Sequence, residues 1–391
     1  MIADFEPRLH AFAEVIVRVG LNLQPGQRLL IAEPYELQGV ARSAEVIVES
    51  IIKAAATDAE VIWGDGPRLR EFAEKADWRG FNQLAAGNAK RLAEGIRRGD
   101  ALLFLQGSQP RLLDGLPPER VAALRRIGWE NFGPVAQQLV QGATNWSVAP
   151  APSPAWAHAA YPDLPSDQRL AALWQDVFTA TRVNEPSPVA AWELHLRLLR
   201  RECASLNQQR LRTLRYKGEG TDLTVALPPG HVWCTAQLAT KSGLPFVANL
   251  PTEEIFTAPH RDSAEGHVRV SRPISYSGAL IEGIKLEFKR GAVVAASART
   301  GADLLERLLD TDEGSVRLGE VAIVPEQTPL GRANRLFYHP LLDENATSHI
   351  ALGEAYGFCQ RPPDPAALNR SLVHVDLPFE ASIIRSDTEP A

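Results

Sequence analysis

The sequence predicts two domains of different fold class. Residues 1–185 are expected to form an α/β domain with a doubly wound, mostly parallel sheet, and residues 186–391 a mainly antiparallel α+β domain that carries the functional site. The length of 391 residues favours two domains, at roughly 150 residues each. The pattern of apolar residues differs between the two halves, and this difference predicts the two fold classes. The segment Asn184–Pro188, which contains two prolines, is predicted to link them.

In the first half, short apolar runs alternate with segments whose apolar residues recur at helical spacing. The predicted strands are Gln27–Ala32, Glu60–Trp63 and Ala101–Gly107. The predicted helices are Pro7–Gly20, Leu37–Ala55, Pro67–Lys75, Phe81–Arg97 and Asp167–Arg182. Strands that alternate with helices form βαβ units, so this half is predicted to contain a parallel sheet.

In the second half, turn signals such as Pro228-Pro229-Gly230 and Arg290-Gly291 separate many of the short apolar segments. The predicted strands are Thr221–Leu227, Val268–Val270, Ile284–Phe288, Ala292–Ala296, Val316–Ile323 and Leu372–Leu377. The predicted helices are Val189–Leu206, Gly301–Leu309 and Asn345–Tyr356. Because turns rather than helices join many of the strands, they are predicted to pair mainly in antiparallel fashion.

Composition and charge exclude several functional classes. With 41 basic and 47 acidic residues, the net charge of −6 argues against nucleic-acid binding by bulk electrostatics. The sequence contains no GxGxxG, Walker A, GxSxG or HExxH motif, so it carries no recognisable nucleotide fingerprint and no local hydrolase motif. A hydrophobic content of 45% and a charged content of 23% are typical of a globular protein.

The cysteines and the N-terminus predict a soluble, cytoplasmic protein. Three widely spaced cysteines encode neither a disulfide framework nor a zinc ribbon, which fits a reducing compartment. The first residues include acids where a signal peptide needs basic ones. The longest stretch without Asp, Glu, Lys or Arg, Asn131–Pro162, contains too many polar residues and prolines to cross a membrane.

Several polar residues lie on strand faces that should be apolar. Period-two alternation places Glu320 on the face of Leu318 and Ala322. The same alternation places His374 beside Asp376, and places Glu254 on the face of Phe256 if that segment is extended. A buried carboxylate is costly unless it is paired or binds a metal.

The predicted helix Asn345–Tyr356 adds two further candidates. His349 and Tyr356 are seven residues apart and would lie on one helix face. Three carboxylates, two imidazoles and a phenol from separate segments are what a two-metal hydrolytic site requires. Oxygen and nitrogen ligands suit zinc, cobalt or manganese.

Each candidate also has a structural interpretation, which spacing alone leaves open. A glutamate on a strand is usually a surface or salt-bridged residue, and His349 would fit an exposed helix surface. His374 and Asp376 would also fit a structural hydrogen bond, and Tyr356 a packed core aromatic. Spacing does not show that these segments converge in space.

At these residues the sequence resembles the M29 family of metallo-aminopeptidases, of the aminopeptidase T and aminopeptidase S type. The resemblance covers nearly the whole chain. The segments that carry it are Asn249–Pro259, Leu318–Glu320, Asp343–Asn345, His349–Gly353 and His374–Asp376, with the earlier Gln24–Gln27 and Gly220–Leu223. The resemblance implies two divalent metal ions in the C-terminal domain, zinc first and cobalt or manganese as alternatives, and a homodimer.

The resemblance also implies the role of each site residue. Its metal ligands are Glu254, Glu320, His349, His374 and Asp376. Tyr356 becomes the catalytic phenol, and Glu320 the catalytic carboxylate, with Glu253 as the second candidate for the proton shuttle. The implied reaction releases N-terminal amino acids from peptides with a free N-terminus, through a metal-bridged hydroxide.

Two alternatives remain at this stage. One is a ring-cleaving dioxygenase on the same fold with a single iron, which needs about three protein ligands. The other is a non-catalytic homologue. Retention of all five ligands together with Tyr356 favours the peptidase.

Overall fold

The structure, a computed structural model, describes residues 4–34, 37, 39–64, 66–107, 109–276, 279–325 and 327–388. The chain divides into two compact units, each built from several segments. The first unit consists of Met1–Leu196, Ala236–Thr252 and Phe337–Leu341, and the second of Arg197–Thr235, Glu253–Leu336 and Leu342–Ala391. The domain boundary that the sequence predicts at Glu185 stays a prediction.

The helices of the described residues are α1 (Phe5–Val15), α2 (Glu45–Ala55), α3 (Gly66–Lys75), α4 (Trp78–Arg98), α5 (Pro118–Val140), α6 (Pro154–Ala160), α7 (Ser166–Ala180), α8 (Pro188–Gln209), α9 (Ala302–Leu309), α10 (Pro329–Ala333) and α11 (Pro340–Glu344). A π-helical turn, Ile16–Gly20, follows α1, and 3₁₀ turns lie at Arg42–Ala44 and Gly357–Cys359. None of these helices is both long and apolar enough to span a membrane.

The strands up to Val247 are β1 (Leu29–Ala32), β2 (Val40–Ala41), β3 (Ala59–Val61), β4 (Trp63–Gly64), β5 (Ala101–Gln106), β6 (Trp146–Pro150), β7 (Leu211–Gly218), β8 (Thr221–Ala226), β9 (Gln237–Ala239) and β10 (Pro245–Val247). The later strands are β11 (Ile255–Thr257), β12 (Glu265–Arg269), β13 (Ile274–Tyr276), β14 (Ala279–Ile281), β15 (Lys285–Lys289), β16 (Ala292–Ser297), β17 (Leu318–Ile323), β18 (His349–Gly353), β19 (His374–Pro378) and β20 (Ser382–Thr388).

The first unit contains the parallel sheet that the sequence predicts. Its strand order is β3-β1-β5-β6, and every neighbouring pair is parallel. All four residues of β1 and the first five of β5 are buried, as expected for strands of a parallel sheet. The doubly wound arrangement of helices on both faces stays a prediction.

The second unit contains two larger antiparallel sheets, as the sequence predicts. The six-stranded sheet has the order β16-β15-β12-β8-β7-β20. Buried and less buried residues alternate along β8 and β15, because one face packs on the core and the other meets solvent. The four-stranded sheet has the order β11-β17-β18-β19. Its strand β18 is buried at all five positions.

The predicted helix Asn345–Tyr356 is wrong. The chain forms the short helix α11 before this segment and then the strand β18, which pairs with β17 and β19 on its two sides. A central strand buried on both faces has no alternation of apolar and polar residues, so its periodicity does not distinguish it from a helix. Tyr356 therefore lies in the loop after β18, immediately before the 3₁₀ turn Gly357–Cys359.

A bulge in β17 sets the position of Glu320. The pairing between β17 and β18 shifts between Leu318 and Glu320, so Glu320 opposes Ala351. Gly319 lies at the shift. A Cβ atom added to Gly319 would lie 2.3 Å from the carbonyl oxygen of Glu354 and 2.4 Å from that of Gly353. Glycine is therefore the residue that the bulge accommodates.

We expect Gly319→Ala to lower stability by about 1–3 kcal/mol, because the added methyl group would contact backbone atoms that side-chain rotation does not move. The substitution should also displace Glu320. Thermal unfolding measures the first effect, and the metal content of the purified protein measures the second.

Gly87→Ala is the matched control. Gly87 lies within α4, and an added Cβ would meet no atom within 4 Å. This substitution should be neutral or stabilising by about 0.5–1 kcal/mol, as is usual in a helix interior. Equal melting temperatures for Gly319→Ala and the parent chain would contradict the role of the bulge.

Candidate metal centre

Strand register brings four of the predicted site residues to one face of the four-stranded sheet. Glu320 opposes Ala351, which in turn opposes Asp376. His349 lies two residues before Ala351 on β18, and His374 two residues before Asp376 on β19. Since side chains alternate between the faces of a strand and opposed residues share a face, all four polar side chains point to the same side.

Glu254 reaches this face from the residue directly before the adjoining strand, β11. In β11, Phe256 opposes Ala322 of β17. The three residues that lie among the polar side chains on this face, Ala322, Ala351 and Gly353, are small. They leave the space above the sheet to the carboxylates and imidazoles.

The five predicted ligands form two overlapping groups. Glu254, Glu320 and His349 form one, and Glu320, His374 and Asp376 form the other, with potential ligand atoms within 4.8 Å of one another in each group. His349 Nε2 lies 3.3 Å from Glu254 Oε2 and 3.4 Å from Glu320 Oε1. His374 Nε2 lies 3.5 Å from Asp376 Oδ1 and 3.9 Å from Glu320 Oε2. Glu320 thus belongs to both groups.

Backbone carbonyls fix the orientation of both imidazoles. His349 Nδ1 lies 3.1 Å from the carbonyl oxygen of Glu344, and His374 Nδ1 lies 2.8 Å from that of Glu354. A carbonyl only accepts a hydrogen bond, so each Nδ1 carries the proton. In the neutral imidazole, Nε2 then presents its lone pair to the carboxylates.

This arrangement fits a bound cation. His349 Nε2 is buried and makes no well-aligned hydrogen bond to any residue that the structure describes. A lone pair that faces carboxylate oxygens is repelled by them unless a positive charge lies between. Imidazoles held at one nitrogen by a carbonyl, with the other nitrogen among carboxylates, are typical of metal ligands.

The electrostatics of the cluster lead to the same conclusion. Burial lowers the pKa of His349, but the carboxylates of Glu254 and Glu320 outweigh it and raise that pKa well above its usual value. Burial likewise lowers the pKa of His374, and Asp376 outweighs it to raise the pKa to about 9. Burial raises the pKa of Glu320. The cluster therefore holds positive charge strongly.

Glu344 is a fourth carboxylate of the cluster, which the sequence did not single out. It is buried, and burial followed by the nearby charges of Asp376 and Glu254 raises its pKa well above the usual value. Glu344 is the last residue of α11, five residues before His349. Because the predicted helix began at Asn345, Glu344 lay outside it and had no predicted role.

Asn345 connects Glu344 to the loop that carries the other glutamates. Its side-chain amide donates a hydrogen bond to Glu344 Oε1 at 3.2 Å, and its Oδ1 accepts one from the backbone N–H of Glu253 at 2.7 Å. Glu253 is buried directly before Glu254. One buried amide therefore fixes the segment that places Glu254.

Tyr356 lies beside the cluster, but on a loop and not on the predicted helix. Its ring centroid lies 5.1 Å from that of His374, 5.3 Å from that of Phe358 and 6.2 Å from that of Phe256. The loop after β18, rather than a shared helix face with His349, brings the phenol to the site.

Comparisons with known proteins relate the chain to one family. The family described as thermophilic metalloprotease (M29) matches residues 5–385. Aminopeptidase T of Thermus thermophilus is 42% identical over 378 residues, covering 95% of this chain and 92% of that protein. Aminopeptidase AmpS of Bacillus subtilis is 36% identical, with the same two coverages.

Solved structures give a consistent result. Wild-type AmpT from Thermus thermophilus superposes with a TM-score of 0.86 at 39% identity, covering 97% of this chain and 95% of that one. A 2,5-dihydroxypyridine dioxygenase from Pseudomonas putida superposes with a TM-score of 0.45 at 13% identity. The match to the family extends over nearly the entire chain, and the chain belongs to the M29 family of metalloproteases.

Proposed function

We propose that this chain is a metal-dependent aminopeptidase that releases N-terminal amino acids from peptides. The observation that carries the proposal is the pair of ligand groups on one sheet face that share Glu320. The names of the relatives, aminopeptidase T and aminopeptidase AmpS, support the same activity.

Two divalent ions would fit the two groups. Glu254, His349 and Glu320 would hold one, and Glu320, His374 and Asp376 the other, with zinc expected first and cobalt or manganese as alternatives. We add Glu344 as a sixth candidate ligand. Four carboxylates carry four negative charges, which two divalent ions neutralise. When bound, such ions polarise a scissile carbonyl and lower the pKa of a water molecule.

The chain's own residues would handle the proton and the developing charge. Glu320 faces His349 with one oxygen and His374 with the other, so its carboxylate lies at the centre of the site. We assign it the proton taken from the attacking water, with Glu253 as the second candidate. The phenol of Tyr356 would donate a hydrogen bond to the oxyanion.

The number of ligands favours the peptidase over the dioxygenase. A mononuclear iron site of that class needs about three protein ligands and open positions. Here five predicted ligands and Glu344 converge.

Following the family resemblance, we further propose that the protein is a cytoplasmic homodimer. Light scattering on the purified protein would test its oligomeric state.

Replacing His349 or Asp376 with Ala should lower the bound metal and abolish peptide hydrolysis, because each substitution leaves one of the two ligand groups incomplete. Loss of a residue that supports a ligand lowers metal affinity by about 10–100-fold, so loss of a ligand itself should exceed that. Elemental analysis after dialysis measures the metal content, and hydrolysis of a Leu-p-nitroanilide measures the activity. His267→Ala, at an exposed position of β12, is the control. Two ions per chain in either ligand variant would refute the assignment.

Peptides with a free N-terminus should be trimmed one residue at a time, whereas N-acetylated peptides of the same sequence should resist cleavage. The reason is that an exopeptidase recognises the free amine. A mass-spectrometric time course separates the two outcomes, with chelator-treated enzyme as the blank. Internal fragments from either peptide would show an endopeptidase instead.

Tyr356→Phe should lower kcat by about 10²–10³-fold, with little change in KM or metal content. An interaction made only in the transition state shows this pattern, and one oxyanion donor typically has this effect. Tyr216→Phe removes the same hydroxyl from a buried position of β7 and is the matched control. Loss of metal from the Tyr356 variant would make the phenol a ligand or its support. An unchanged kcat would make it a packing residue.

A further inference from the structure

A groove at one end of the six-stranded sheet carries a concentration of positive charge. It has a volume of about 500 Å³, and four of its lining residues are the cations Arg269, Arg272, Lys285 and Arg299. None of the lining residues that the structure describes is acidic. This composition contrasts with the net charge of −6 of the whole chain.

Strand register places three lining residues of the groove side by side. Lys285 lies between Arg269 of β12 and Ser297 of β16, directly opposite each of them. Beyond the ends of these strands, Ser271, Gly283 and Arg299 continue the lining of the groove.

Gly283 lines the groove without a side chain. It has a φ of +67°, and a Cβ atom added there would lie 3.0 Å from the Cβ atom of Arg299. The groove therefore presents cationic side chains beside the bare backbone of Gly283.

The cations of the groove are only partly neutralised. Arg269 pairs with Glu219 at 3.3 Å and Arg299 with Glu282 at 3.0 Å, but surface ion pairs of this kind are weak. Lys285 and Arg272 pair with no acid of the described chain. Arg272 donates from Nη1 to the carbonyl oxygen of Arg335 at 2.6 Å, while its Nε is buried and has no hydrogen-bond partner among the described residues.

Like charges directly opposite each other across two strands are destabilising, and Arg269 and Lys285 are such a pair. An anion held between them would relieve this repulsion. Guanidinium groups match the geometry of phosphate oxygens, and charge-assisted hydrogen bonds are the strong ones.

We propose that this groove binds a tetrahedral oxyanion, either free phosphate or the phosphate group of a small phosphorylated molecule. Arg269, Lys285 and Arg299 would supply the charge, and the hydroxyl of Ser297 a further hydrogen bond. The site lies outside the candidate metal centre, uses none of its residues and does not depend on the peptidase activity.

Calorimetric titration of the metal-loaded protein with inorganic phosphate tests the proposal, at an ionic strength held constant with sodium chloride. Lys285→Ala should weaken the groove's phosphate binding by about tenfold or more, as expected for the loss of a charge-assisted hydrogen bond. The matched control is Lys289→Ala, which removes the same exposed charge four residues along the same strand, outside the groove. It should change the affinity less than about twofold.

The paired variants separate the groove from other sources of binding. Phosphate binding to the metal ions would persist in both variants. If the loss of one positive charge acted only through the overall electrostatic potential of the protein, phosphate binding would weaken equally in both variants. Equal behaviour of the two variants, or no saturable binding to the parent protein, would overturn the proposal. Unchanged melting temperatures and peptide hydrolysis verify that both variants fold.

Titration with glycerol phosphate identifies the source of the oxyanion. Tighter binding than inorganic phosphate, lost in Lys285→Ala, would support a phosphorylated small molecule as the ligand. Weaker binding than inorganic phosphate, with the same loss in Lys285→Ala, would support the free ion.

Discussion

Repulsion among buried carboxylates is the constraint on which the second unit depends. Glu254, Glu320, Glu344 and Asp376 are held close together on or beside one sheet face, where like charges are costly unless cations compensate them. The surrounding structure resists their separation. The bulge at Gly319 fixes Glu320, and the buried amide of Asn345 fixes the segment before Glu254.

The sequence predicts the site residues most directly on strands where polar and apolar side chains alternate. His374 and Asp376 alternate with the buried Val375 and Leu377 on β19, and Glu320 interrupts an apolar run, so these three polar residues stand out. His349 lies on a fully buried central strand, and its apolar neighbours Ile350–Leu352 fit a helix equally well. The same error concealed Glu344. Convergence of the segments required the register of four strands, which pairs residues up to 68 positions apart, as in Ile255 with Ile323.

The two larger sheets of the second unit place polar groups in opposite environments. The four-stranded sheet presents its polar side chains to a largely buried space, where few solvent molecules compete for them. The six-stranded sheet presents alternate residues to solvent, and its cationic groove lies on an accessible face. The ligand groups proposed for cations and the lining proposed for an anion share no residue, so substitutions test each of them separately.

The carbonyls of Glu344 and Glu354 hold the two imidazoles through the main chain. Every amino acid supplies a carbonyl oxygen, so the tautomer of His349 and His374 is independent of which side chains occupy positions 344 and 354. Substitution at position 354 can therefore change the charge near the centre without changing the direction of the His374 ring, whereas substitution at position 344 would also remove a candidate metal ligand. Only changes in the path of the backbone, through insertion or deletion near β18 and β19, would turn the rings away.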